Sequence, residues 1–158
     1  MIFIFISTVI VVDQISKFII RSNFAPGETL PVIEDIFHIT YVQNRGAAFS
    51  IFQNNTFFLV IVPIVAILIG SFLMIKFYQK KRRKEKILAW IIASIIAGGI
   101  GNMIDRMFFG FVTDMFDFRI FPVFNVADVF VTIGCIAIIA VILFFDNESD
   151  QKGRGNRI

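Results

Sequence analysis

Residues Ala97 to Asp128 read AGGIGNMIDRMFFGFVTDMFDFRIFPVFNVAD, and this stretch decides how the chain is built. It leaves one long apolar segment, crosses a short connection and enters another, carrying Asp105, Arg106, Asp114, Asp117 and Asp128 on the way. Charges at the mouths of two otherwise apolar helices are unfavourable there, so they mark a candidate functional site.

Of the 158 residues, 57% are hydrophobic and only 17% charged, with a mean hydropathy of +0.81. A soluble domain of this size could not bury so much apolar surface, and long apolar runs imply membrane spans. One integral membrane domain, residues 1–158, is the expected count. Cys135 is the only cysteine, which excludes an internal disulfide, and with His38 the only histidine a Cys/His zinc cluster is excluded as well. The same scarcity removes Cys–His and Ser–His–Asp chemistry unless His38 is the base.

Four spans are expected, at about 1–21, 56–76, 87–105 and 126–145. The first lacks a basic start and a small-residue cleavage site, so it does not read as a removable signal peptide. Asp13 and Lys17 lie toward its far end, one helical turn apart on one face, and can pair. Whether that pair snorkels to the interface or belongs to a site stays open at this level. Pro63 inside the second span is tolerable in a membrane helix.

The outer loops are 22–55 and 106–125. In the first, Phe37 to Val42 has β-type residues in partial alternation between turn signals, which predicts a strand, with His38 an ordinary surface or hydrogen-bonded residue. The 76–86 loop and the polar tail 146–158, expected to be mobile, hold ten of the 15 basic residues. The positive-inside rule places both in the cytoplasm, with both termini inside and the other two loops outside. The sequence pI of about 9.2 is then a topology signal and not a nucleic-acid footprint.

With that topology, Asp13 and Lys17, Asn102, Asp105 and Arg106, and Asn125 and Asp128 all fall at outer helix ends. Span three is rich in small residues; Ser94/Gly98 and Ala97/Gly101 have the spacing that lets helices approach closely. Among the outer acids, Asp13 has Lys17 one turn away, and Asp117 has Arg119 two residues on, on the same side of an extended chain. Asp114 and Asp128 have no local basic partner. Two such carboxylates close together would share a proton, which is the chemistry of an aspartic protease. The competing reading is structural: Asn125-Val-Ala-Asp128 has the spacing of a capping box, and an acid in a first turn suits the helix dipole. Pattern alone does not choose between them. Ser16 and Lys17 make a poor dyad, because adjacent helix positions diverge by about 100°.

Asp13-Gln14-Ile15-Ser16-Lys17, Asn44-Arg45-Gly46-Ala47-Ala48-Phe49, Gly98-Gly99-Ile100-Gly101-Asn102-Met103-Ile104-Asp105-Arg106 and Phe124-Asn125-Val126-Ala127-Asp128 together resemble the bacterial lipoprotein signal peptidases (signal peptidase II). The resemblance implies an all-α membrane protein of four transmembrane helices with a small extracytoplasmic β-cradle and a short outer helix. It implies an aspartic endopeptidase that removes the signal peptide of diacylglyceryl-modified prolipoproteins just before the lipidated Cys. The catalytic pair would be Asp114 and Asp128. Asn44, Gly46, Asn102, Asp105, Arg106 and Asn125 would support the pocket, and Asp13 with Lys17 would brace it. Many relatives have V-V-D-F where this chain has Val112-Thr113-Asp114-Met115, so Asp117-Phe118 is a second, weaker match to that motif. No metal or organic cofactor is implied, and the partners are the prolipoprotein and membrane lipid, with the enzyme a monomer in a bacterial cell membrane. The rivals from other classes are a small proton-coupled transporter and a non-catalytic assembly subunit.

Overall fold

The computed structural model describes residues 1–46 and 56–155. In chain order the elements are α1 (Ile2–Asn23), β1 (Thr29–Ile33), β2 (Phe37–Asn44), α2 (Thr56–Tyr78), α3 (Arg83–Phe109), β3 (Val112–Asp117) and α4 (Val126–Gly155). Each helix contains a segment long and apolar enough to cross a membrane. Phe3, Phe18, Phe72 and Ile136 are each more than half exposed, as side chains facing lipid would be. Four apolar helices with one small antiparallel sheet bear out the expected fold class. The short outer helix implied by the resemblance is not found among the described residues, and residues 47–55 of that outer segment lie outside them.

Close helix packing follows from the small residues of α3. A Cβ at Gly98 would strike the Ala127 carbonyl oxygen and Val131, so α3 and α4 meet backbone to backbone there. Gly134 on α4 returns the contact, seating the Ile95 side chain where a Cβ would otherwise be. The Ser94 hydroxyl donates to the Phe130 carbonyl at 2.9 Å, a typical use of serine between membrane helices. α1 and α2 complete the bundle, with Ile2, Ile6 and Val9 of α1 and Met74 of α2 in one buried cluster with Ala89, Ala93 and Ile96 of α3.

The sheet has the order β1-β2-β3 and is antiparallel throughout. Pro31 is tolerated because β1 is an edge strand. Asp35, at φ 58°, turns the chain from β1 into β2, in the left-handed region that Asp tolerates. The strand expected over 37–42 is β2, two residues longer. Ile20 of α1, Tyr41 and Met115 form a second buried cluster that fixes the sheet to the end of α1.

Three segments differ in detail from the expected outline. Span three, expected at about 87–105, lies in a helix from Arg83 to Phe109, so Arg106 as well as Asp105 sits on its last turns. Gly110 sets that end: at φ 75° it takes the left-handed cap position, and its N–H donates to the Arg106 carbonyl at 3.1 Å. Within the outer loop expected over 106–125, residues 112–117 form a third strand. The backbone of the tail continues as helix to Gly155, because extending an existing helix needs no new nucleus.

Candidate active site

One face of α1 carries Asp13, Lys17 and Arg21, each one turn from the next. Asp13 and Lys17 are completely buried, and the Lys17 ammonium lies 2.9 Å from Asp13 Oδ2. The snorkelling alternative is thereby overturned: neither side chain reaches the interface. Lys17 also donates to Asn102 Oδ1 at 2.8 Å and stands 3.7 Å from Asp105 Oδ2. Arg21 Nη1 lies 3.2 Å from Asp105 Oδ1. Two acids thus face two cations in a desolvated cluster, the condition under which buried charge is tolerable. Gly101 makes room for it, since a Cβ there would lie 2.6 Å from Asp13 Oδ2.

This cluster holds both neighbouring elements. Asp13 Oδ1 accepts the Ala127 N–H at 2.9 Å, pinning the first turn of α4. Asp105 Oδ2 accepts the Thr113 N–H at 2.8 Å, pinning β3. Side chains alternate along a strand, so with Thr113 turned toward the cluster, Asp114 faces the opposite way.

Asn125 joins what the two elements present. Its Nδ2 donates to Asp114 Oδ1 at 2.6 Å and to Asn102 Oδ1 at 3.1 Å. Its Oδ1 accepts the Asp128 N–H at 2.9 Å, and Asp128 Oδ2 lies 3.3 Å from the Asn125 N–H in return. That reciprocal pair is the capping box expected from the spacing. Asp128 does more than cap, because its Oδ1 accepts from Asn102 Nδ2 at 2.7 Å. The second oxygen of Asp114 accepts from Asn44 Nδ2 at 3.0 Å. Burial pushes the Asp114 carboxyl up to about 7, and the charge of Asp128 pushes the same way, against the hydrogen bonds from Asn44 and Asn125.

Asp114 and Asp128 line one cavity of about 530 Å³ together with Asn44, Asn102 and Arg106. Most of its remaining wall is apolar, including Phe121 and Pro122 and, from α4, Val129 and Ile133. Arg106 Nη2 lies 3.3 Å from the Gly46 carbonyl, and the Gly46 N–H donates to Asn44 Oδ1 at 3.0 Å, so Gly46 orients both side chains. An apolar slot with a few convergent polar groups at one end is the usual form of a binding site. Among the described residues no group of His, Cys, Asp and Glu could hold a metal ion.

A sequence profile of the family described as signal peptidase (SPase) II matches residues 5–144. The lipoprotein signal peptidase of Clostridioides difficile is 44% identical over 140 residues, covering 87% of this chain and 90% of that one. That of Fusobacterium nucleatum is 43% identical over 155 residues, covering 96% and 92%. The chain belongs to the signal peptidase II family. A solved bacterial membrane enzyme superposes with a TM-score of 0.82 at 31% identity, covering 94% of this chain and 90% of the other. Membership makes the chain an enzyme, a multi-pass membrane peptidase.

The ten residues that the resemblance assigns to the site either line this cavity or belong to the hydrogen-bonded network that reaches it, Gly46 through Asn44 and Arg106. Asp117 does not line the cavity. It lies three residues from Asp114, hence on the other face of the strand, where it accepts from Thr40 Oγ1 at 2.9 Å and pairs with Arg119 at 3.1 Å. Burial would raise its carboxyl, but the hydrogen bonds from Arg119 and Thr40 outweigh that and hold it below the usual carboxylate range. His38, expected to be hydrogen-bonded or on the surface, is buried on β2 with Nδ1 3.3 Å from Thr29 Oγ1. Arg21, Thr113 and Gln14 had not been picked out. Gln14 Nε2 donates to the Gly101 carbonyl at 3.0 Å. The only local signal for Arg21 is its place one turn beyond Lys17.

Proposed function

We propose that the chain is an aspartic endopeptidase that removes the signal peptide of diacylglyceryl-modified prolipoproteins, cutting just before the lipidated Cys, with Asp114 and Asp128 as the catalytic pair. The observation that carries this reading is the shared cavity wall: two carboxylates bridged by one asparagine, with Asp114 pushed up to about 7. At neutral pH such a pair holds a single proton between them.

In the reaction, the ionised Asp128 takes a proton from a water molecule as its oxygen adds to the scissile carbonyl carbon. The protonated Asp114 gives its proton to the carbonyl oxygen, forming a neutral gem-diol. Asp128 then passes its proton to the leaving amide nitrogen as the C–N bond breaks, and Asp114 recovers one from a diol hydroxyl. Both carboxyls return to their starting states. The apolar wall along α4 suits a substrate whose signal helix and acyl chains stay in the bilayer while the peptide bond reaches the polar end.

The orientation belongs to the same proposal. The basic stretch 76–86 and the C-terminal tail face the cytoplasm, as do both termini, and the sheet and catalytic pair face outward. The test is cleavage of a lipidated prolipoprotein by purified protein. Asp114→Asn and Asp128→Asn are each expected to lose turnover by roughly 10²–10⁴-fold, and Asp117→Asn to keep it. Retained turnover in both of the first two would falsify the dyad.

A further inference from the structure

We propose that Arg21 and Thr113 form a positioning pair that fixes where β3 presents Asp114 to the substrate. The proposal rests on the peptidase reading above and adds to it two residues outside the cavity wall.

The geometry is specific. A single guanidinium nitrogen, Arg21 Nη1, donates to Asp105 Oδ1 at 3.2 Å and to Thr113 Oγ1 at 3.0 Å. The other oxygen of Asp105 accepts the Thr113 backbone N–H at 2.8 Å. Arg21, Asp105 and Thr113 therefore close a ring in which one strand residue is held by side chain and backbone at once. The guanidinium is itself held, with its carbon 4.2 Å from the centre of the Phe109 ring. Asp105 is wholly buried and the Arg21 side chain is only 16% exposed, so water competes little for these bonds.

Thr113 immediately precedes Asp114, and a strand turns successive side chains to opposite faces. Fixing Thr113 in rotation therefore fixes Asp114 in rotation, from behind the strand and without touching the cavity. The ladder to β2 and the Asp105–Thr113 N–H bond hold the backbone of β3; the hydroxyl contact to Arg21 adds a hold on the side-chain face behind Asp114. A carboxyl that must reach a carbonyl oxygen is sensitive to displacement of about an ångström.

The test compares Arg21→Gln, Thr113→Val and their double variant with the wild-type protein in nanodiscs, with two readouts. In cleavage of a lipidated prolipoprotein, each single variant is expected to lower kcat roughly tenfold with KM within about twofold. The double variant is expected to be no worse than the poorer single one, and Thr113→Ser to regain most of the rate lost in Thr113→Val. In substrate-free hydrogen exchange, the amides of 112–117 are expected to exchange faster in both single variants, with the helical amides of α3 unchanged. Fully additive losses, a change confined to KM, or unaltered exchange over β3 each overturns the pair. A wild-type protein that fails to cleave the prolipoprotein sinks the peptidase reading separately, because the exchange measurement still decides whether Arg21 and Thr113 hold the strand.

Discussion

Asp114 has an amide donor on each oxygen, Asn44 on one and Asn125 on the other, yet burial and the Asp128 charge still lift it to about 7. The proposed mechanism uses its proton, so kcat/KM is expected to fall as pH rises through about 7, and a pH–rate profile checks this. The stability consequence has a definite sign. An unfolded Asp titrates near 4, so between about 4 and 7 the folded state binds the extra proton, and stability falls as pH rises across that window. Asp114→Asn is therefore expected to melt above the wild type at pH 8 and to show less of that pH dependence, by thermal denaturation in detergent. Gly101 gives a steric counterpart: Gly101→Ala would drive a methyl against Asp13 Oδ2 and is expected to destabilise by about 1–3 kcal/mol, read as a lowered melting temperature. At this scale the residues alone marked Asp114 and Asp128 only as candidates, because they lack the neighbouring cations that Asp13 and Asp117 have; the capping reading stayed open until the family resemblance was added. Arg21 was not marked at all, because its partners Asp105 and Thr113 lie 84 and 92 residues away in sequence. Thr113, one of the two residues at which Val112-Thr113-Asp114-Met115 departs from V-V-D-F, is the one Arg21 reaches.

α1 acts as a ruler between the two elements that carry the carboxylates. Asp13 fixes the start of α4 through the Ala127 N–H, and Lys17 fixes Asn102, whose amide in turn reaches Asp128. Removing the central charge leaves two buried acids short of a partner. Lys17→Met is thus expected to cost about 3–5 kcal/mol, measured by denaturant titration, with partial recovery when Asp13→Asn is added. The helices were legible from their long apolar runs, but their ends were not. The expected end at about residue 105 falls one turn short, and α3 runs on to Phe109 with Asp105 satisfied by Arg21, Lys17 and the Thr113 N–H from other elements. β3 escaped notice because it is buried on both faces: Val112 through Met115 are all buried, which erases the alternation that reveals a half-exposed strand.

Across the whole molecule, charge is sorted by side. Single cysteines introduced in a Cys135→Ser background should show it, with Glu34→Cys labelled by an impermeant thiol reagent in intact cells and Lys81→Cys labelled only after lysis. The reverse pattern would invert the proposed orientation. The cavity extends from Asp114 and Asp128 along α4 to Ile133, a side chain 58% exposed on the lipid-facing surface. That wall makes encounter a two-dimensional event: a lipidated substrate reaches it by diffusing within the leaflet, so its effective concentration is its mole fraction among the lipids. Adding plain lipid at constant enzyme and substrate should slow cleavage below saturation in proportion to the dilution of the surface. Adding buffer to the same vesicles should leave the rate per enzyme unchanged, and vesicle assays that vary lipid and volume independently separate the two.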